Sequence, residues 1–123
     1  MAWALLFYYN GMTLRCLVIA DDLTGGADAG AQFAEKGLST LLISVSDNTN
    51  IDFSRYLNGE VLVINTDSRG LSPHRSFSLV SNLLKRCDKK LFPIIYKKID
   101  STLRGNIGYE IDAILQETNI SMG

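Results

Sequence analysis

Four short apolar runs punctuate this chain, and they constrain its fold more than any other feature. They are RCLVIA (Arg15–Ala20), TLLISV (Thr40–Val45), VLVIN (Val61–Asn65) and IIYKKI (Ile94–Ile99). Continuous apolar character with β-branching predicts strands buried on both faces, as in a parallel sheet covered by helices. The segments between them fit that plan. TGGADAGAQFAEKG predicts a helix with Thr24 as N-cap and Gly37 at its end. SDNTNIDFSRYLNG reads as loop with one helical turn around Phe53–Leu57. In SPHRSFSLVSNLLKRCDKK, Ser72 caps a helix with Pro73 at its first position. Phe77, Val80, Leu83, Leu84 and Cys87 then form one apolar face. A last helix in GNIGYEIDAILQETNI carries Ile107, Ile111, Ile114 and Leu115. The order predicts an α/β fold: a mostly parallel sheet with helices on both faces, Rossmann-like and three-layered.

The sequence stops as that last helix finishes, with no closing strand. The expectation is an incomplete sheet, the first part of a larger protein, with an open edge and an uncovered apolar face. Residues 1–12 read as an apolar leader from start-site choice, with Met12 the natural opening and 13–123 the domain. MAWALLFYYNG is too short to span a bilayer and lacks the basic start and cleavage site of a secretory signal.

Composition narrows the function classes. Twelve basic and thirteen acidic residues give a net charge of -1, so nothing drives the chain generally toward nucleic acid or anionic membrane. Any anion binding must be local. Cys16 and Cys87 form no CxxC pair, which predicts a reduced, cytoplasmic setting. A single histidine, His74, argues against a Cys/His zinc site, and no metal site is expected in this chain.

In open α/β sheets, ligands bind beyond the carboxyl ends of the strands. Three of the four strand ends here carry aspartate, hydroxyl and glycine residues together: ADDLTGG, NTDSRG and KKIDSTLRGN. Each has a plain structural explanation. Asp22 or Thr24 can cap a helix, Gly25 and Gly26 suit a tight turn, and NTDSRG can be an Asx-turn. KKIDSTLRGN fits a solvated turn least well. Together the groups have a chemical logic. Arg69 and Arg104 suit bidentate pairing with carboxylate or phosphate, and the aspartates suit substrate hydroxyls or an attacking alcohol's proton. Of Lys97 and Lys98, strand alternation points only one toward a given side. Helix N-termini near Gly25 and Asn106 add N–H donors. A small polyhydroxy acid fits this mixture better than a large apolar ligand.

ADDLTGGADAG, NTDSRG and YKKIDSTLRGN, in that order, resemble the four-carbon acid sugar kinase family. The resemblance extends from Leu14 to about Thr118, with KKIDSTLRGN its most specific part. It implies ATP-dependent phosphorylation of an acid sugar such as threonate, erythronate or an oxo-tetronate on a hydroxyl group. This chain would supply substrate-binding sequence, while a missing C-terminal domain supplies most of the site for ATP and Mg²⁺. No GxxxxGK[ST] loop occurs here. By position, the resemblance implies Asp21 and Asp22 as catalytic candidates. It places Thr24, Gly25, Asp67, Ser68, Arg69, Lys97, Asp100, Ser101, Thr102, Arg104 and Asn106 around the substrate. Gly26 departs from the family pattern, where alanine or another small residue is expected. Two rival readings are a receiver-like phosphoacceptor domain using the acidic pair Asp21 and Asp22 with Asp67, Ser101 and Lys97, and a truncated product with no catalysis of its own.

Overall fold

The computed structural model describes residues 8–9, 12–13, 15–46, 50–56 and 58–118. Most of the leader reading, and Leu57 of the predicted helical turn, lie outside them. Tyr8–Tyr9 (β1) pairs antiparallel with Met12–Thr13 (β2) in a separate two-stranded ribbon.

The main sheet has four parallel strands: β3 (Cys16–Ala20), β4 (Thr40–Ser44), β5 (Val61–Asn65) and β6 (Ile94–Lys98), in the order β4-β5-β3-β6. Every residue of the central strands β3 and β5 is buried, as continuous apolar runs require. The edge strands differ from expectation. Leu41 on β4 and Tyr96 on β6 remain 43% and 45% exposed. Apolar continuity reports a strand's composition; its place in the sheet decides how many neighbours cover it.

Helices cover both faces. On one, α1 (Leu23–Glu35) packs Ala29 against Cys16, Val18, Val61 and Val63. On the other, α2 (Pro73–Lys85) and α3 (Ile107–Thr118) bring Val80, Leu83, Leu84, Ala113 and Ile114 onto Leu17, Ile19, Leu62 and Ile64. A short 3₁₀ turn, Phe53–Tyr56, joins this layer through Phe53, edge-on to Phe92. Cys87 belongs to the same core and Phe77 packs against its margin, as the helical spacing predicts.

The helix ends follow local chemistry, with one correction. Asp22, not Thr24, caps α1, its carboxylate accepting from the Gly25 N–H at 2.9 Å. The chain turns within two residues of β3, so the helix begins at Leu23. Gly37 (φ +86°) ends it, with Leu38 N–H donating to Phe33 O and Gly37 N–H to Ala34 O. That is a Schellman closure. Ser72 caps α2 by accepting from Arg75 N–H, with Pro73 next. Gly26 proves to be a packing residue. A Cβ there would lie 3.3 Å from Ala20 Cβ and Leu42 Cδ1, so its absence lets α1 sit close on the sheet.

The chain leaves β3 for α1 on one face and leaves β5 for α2 on the other. The adjacent carboxyl ends of β3 and β5 therefore flank a topological switch point, where open α/β sheets form their crevice.

Candidate functional site

At that crevice three polar segments meet: Asp21–Asp22 after β3, Thr66–Gly70 after β5, and Ile99–Asn106 after β6. Backbone bonds strap them together. Thr66 N–H donates to Ala20 O at 2.8 Å, and Arg69 N–H to Asp21 O at 3.2 Å. They enclose an open cavity of about 330 Å³ lined by Asp22, Thr24, Gly25, Asp28, Arg69, Lys98, Asp100, Ser101 and Arg104.

Arg69 organises its floor. Its Nη2 lies 3.0 Å from Asp21 Oδ1, 3.1 Å from Asp22 Oδ1 and 3.6 Å from Asp100 Oδ1, while Nε donates to Asp21 Oδ2 at 3.4 Å. The hydrogen bond to Asp21 leads the effects that hold the guanidinium above its ordinary pKa. Asp21 is buried; Asp22 is half-exposed and faces the cavity.

The loop after β6 wraps around Asp100. Arg104 clasps it through Nε at 2.9 Å and Nη2 at 3.0 Å, and Thr102 donates to it through both N–H and hydroxyl. The Arg104 guanidinium, then the Thr102 hydroxyl, hold this carboxyl well below the usual carboxylate range. Two left-handed residues shape the loop, Leu103 (φ +61°) and Gly105 (φ +99°). Gly105 is required twice over. Its backbone angle favours glycine, and a Cβ there would fall 2.3 Å from Asp21 Oδ2.

Both arginines therefore hold the protein's own aspartates, which the residue types alone do not reveal. Lys97 departs further from its expected place. It lies beneath the sheet, its Nζ 3.2 Å from Oε1 of fully buried Glu110. Glu110 Oε2 accepts from Ser68 Oγ and Ser76 Oγ, and Ser68 Oγ shares a hydrogen bond with Thr66 Oγ1. Ser68 thus belongs to an internal network, and its side chain is shut away from the cavity. The lysine in the cavity is Lys98, on the opposite side of the strand. Thr102 shapes the Asp100 loop. Asn106 precedes α3 and donates to Ser68 O and Leu71 O, bracing the neighbouring loop from outside the cavity lining. Asp67, in the left-handed region at φ +49°, lines a different cavity with Ser46, Thr66 and Arg75. The receiver-like arrangement, which needs Asp67, the acidic pair and Lys97 together, is not formed.

The sequence reading missed Asp28, Gly105 and Glu110. Glu110 carried a usable signal: it sits three residues after Ile107 and four before Ile114, on the apolar side of its helix. Among the described residues no group of three His, Cys, Asp or Glu side chains is placed to hold a metal ion. Asp21, Asp22 and Asp100 instead turn onto Arg69. Cys16 and Cys87 are free and buried, and burial pushes their thiols up to about 12 and about 11, so neither is a reactive nucleophile at neutral pH. No described helix is long and apolar enough to cross a membrane.

A family model described as sugar-binding N-terminal domain matches residues 16–122. Among curated proteins, the chain is 41% identical over 105 residues to a D-threonate kinase of Salmonella typhimurium, covering 84% of this chain. It is 36% identical over 100 residues to a D-erythronate kinase of Heliobacterium modesticaldum, covering 80% of this chain. The chain spans 23% and 22% of the length of these relatives. A crystal structure of a domain of unknown function from Bordetella bronchiseptica, a domain-swapped dimer with bound citrate, superposes with a TM-score of 0.68 at 32% identity. That match covers 83% of this chain and 25% of the other.

Proposed function

The chain belongs to the family of sugar-binding N-terminal domains, and from that premise we propose that it forms the acceptor side of an acid sugar kinase. The reaction is ATP-dependent phosphorylation of a hydroxyl on a four-carbon acid sugar: threonate, erythronate or an oxo-tetronate. One observation carries the reading. Carboxylates, free hydroxyls and cations converge in a single cavity at the switch point, the chemistry a small polyhydroxy acid needs.

The roles follow from position. Asp22 faces the cavity and is the group to orient or deprotonate the attacking hydroxyl; Asp21, buried against Arg69, holds the floor. Thr24 and Ser101 offer hydroxyls to the sugar's hydroxyls. Arg104 sits at the rim, largely exposed, close to where incoming phosphoryl charge would be balanced. Transfer of this kind depends on positioning and charge stabilisation more than on covalent chemistry by the protein. The relatives' kinase names support ATP as the donor, while Mg²⁺ comes only from the family resemblance. The donor set that would greet a metal here is turned onto Arg69, so no step of this reading runs through the metal, and the nucleotide is assigned to sequence outside this chain. The free buried thiols favour a cytoplasmic setting.

The test joins this chain to the remaining part of the Salmonella relative and measures ATP-dependent phosphate transfer to D-threonate and D-erythronate. Transfer by the joined protein is expected, with none by the 123-residue chain alone. Asp22→Ala should abolish it; normal turnover in that variant would remove Asp22 from its role. Turnover by the isolated chain would overturn the division of labour.

A further inference from the structure

The cavity holds three cations, and their surroundings differ. Arg69 is gripped by Asp21, Asp22 and Asp100, and Arg104 is clasped onto Asp100. Lys98 also lines the cavity, yet it makes no ion pair or side-chain hydrogen bond among the described residues. Its stem runs along the first turn of α1, with Cγ and Cε 3.6 and 3.8 Å from where a Cβ on Gly25 would stand. The residue is half-buried, its stem held against the cavity wall formed by the first turn of α1.

The titratable groups facing this space are Asp22, Asp28, Asp100, Arg69 and Arg104. Their carboxylates make most of the cavity hostile to an anion. An incoming carboxylate beside Arg69 would meet three aspartates, and beside Arg104 it would displace Asp100. Only at Lys98 does it gain a cation without displacing a partner. The hydroxyls of Thr24 and Ser101, also on the lining, make no hydrogen bond among the described residues.

We propose that Lys98 reads the substrate's carboxylate, which fixes the polyhydroxy acid with its remaining hydroxyls toward Thr24, Ser101 and Asp22. This rests on the acid-sugar reading above and adds the residue that distinguishes an acid from a neutral polyol. Lys98 is a binding and specificity residue; it takes no proton in the reaction. Lys97 cannot substitute, because its ammonium is buried against Glu110 on the other face.

The experiment is calorimetric titration of the intact chain with D-threonate and with threitol, its uncharged four-carbon counterpart. The native chain should bind the acid at least about tenfold more tightly than the polyol. Lys98→Met should weaken D-threonate binding roughly 10- to 100-fold, the worth of one charge-assisted hydrogen bond, and leave threitol nearly unchanged. Lys98→Arg should keep the preference for the acid, which a merely structural role would not explain. If Lys98→Met retains the native preference, Lys98 does not read the carboxylate, and the acid-sugar reading survives. If the native chain binds both compounds equally, the carboxylate is not read at all and the proposal fails. If it binds neither, the acid-sugar reading itself falls.

Discussion

Two polar clusters lie on either side of the strand ends, and adjacent lysines belong to one each. Below the sheet, Glu110 gathers Lys97, Ser68 and Ser76 in a region closed to solvent. Above the carboxyl ends, Arg69 gathers Asp21, Asp22 and Asp100 beside an open cavity, with Lys98 unpaired among the described residues. The lower cluster has one carboxylate and one ammonium: Glu110 Oε2 accepts from both serine hydroxyls, while Oε1 faces the ammonium at 3.2 Å without a hydrogen bond among the described residues. Its parts come from β5's loop, α2, β6 and α3, so it ties the sheet to the helices that cover it. The upper cluster sets three carboxylates against two arginines, with Lys98 close by and without an ion pair among the described residues. A closed, charge-matched set serves the fold; an open, unevenly paired set can exchange partners with a ligand.

The strongest way to break this comparison is Glu110→Leu. It leaves the Lys97 ammonium without its ion-pair partner and the Ser68 and Ser76 hydroxyls without the carboxylate they donate to, and should cost about 3–5 kcal/mol in urea unfolding. Adding Lys97→Met should recover much of that loss, since an apolar pair of similar volume removes the uncompensated charge. A single-variant loss below about 1 kcal/mol would mean that water reaches the pair and the lower cluster is not closed.

The sheet, its helices and the crevice were legible in the sequence because they rest on periodicity and on residues next to one another. All four apolar runs announced strands without telling centre from edge, and Ser72-Pro73 announced the start of α2. What the sequence hid depends on direction. KKI puts two lysines in succession, but choosing which one enters the cavity requires knowing which face carries α3. ADD likewise gives two carboxylates, one covered beneath Arg69 and one both capping α1 and facing outward. The commitments of Arg69 and Arg104 to aspartates are tertiary, and no local pattern encodes them.

Gly105→Ala probes the upper cluster alone. The substitution brings an unfavourable φ and a methyl 2.3 Å from Asp21 Oδ2, so the carboxylate must leave its place on Arg69. Gly37→Ala is the matched control, with a similar φ of +86° and nothing within 4 Å of the added atom. Backbone strain should cost both variants about 1–2 kcal/mol. The excess loss in Gly105→Ala, together with weakened D-threonate binding, measures how far Asp21 is fixed by its surroundings. Equal losses and unchanged binding would show that the floor of the cavity adapts freely.

The smallest effect comes from Asp100→Asn, and pH and salt give it a signature. The folded-state pKa of Asp100 is depressed, chiefly by Arg104. Its stabilisation is therefore complete above the unfolded carboxylate value near 3.9 and disappears as pH falls through the lower folded value. The native chain should exceed Asp100→Asn in stability at neutral pH, and the difference should shrink progressively below about pH 4. Because Arg104 is largely exposed, added salt should reduce the neutral-pH difference. The Glu110→Leu deficit should respond little to the same salt, since its ion pair is buried. If both deficits fell together with ionic strength, the two clusters would share one solvent-exposed environment, and the separation between a structural lysine and a ligand-reading one would collapse.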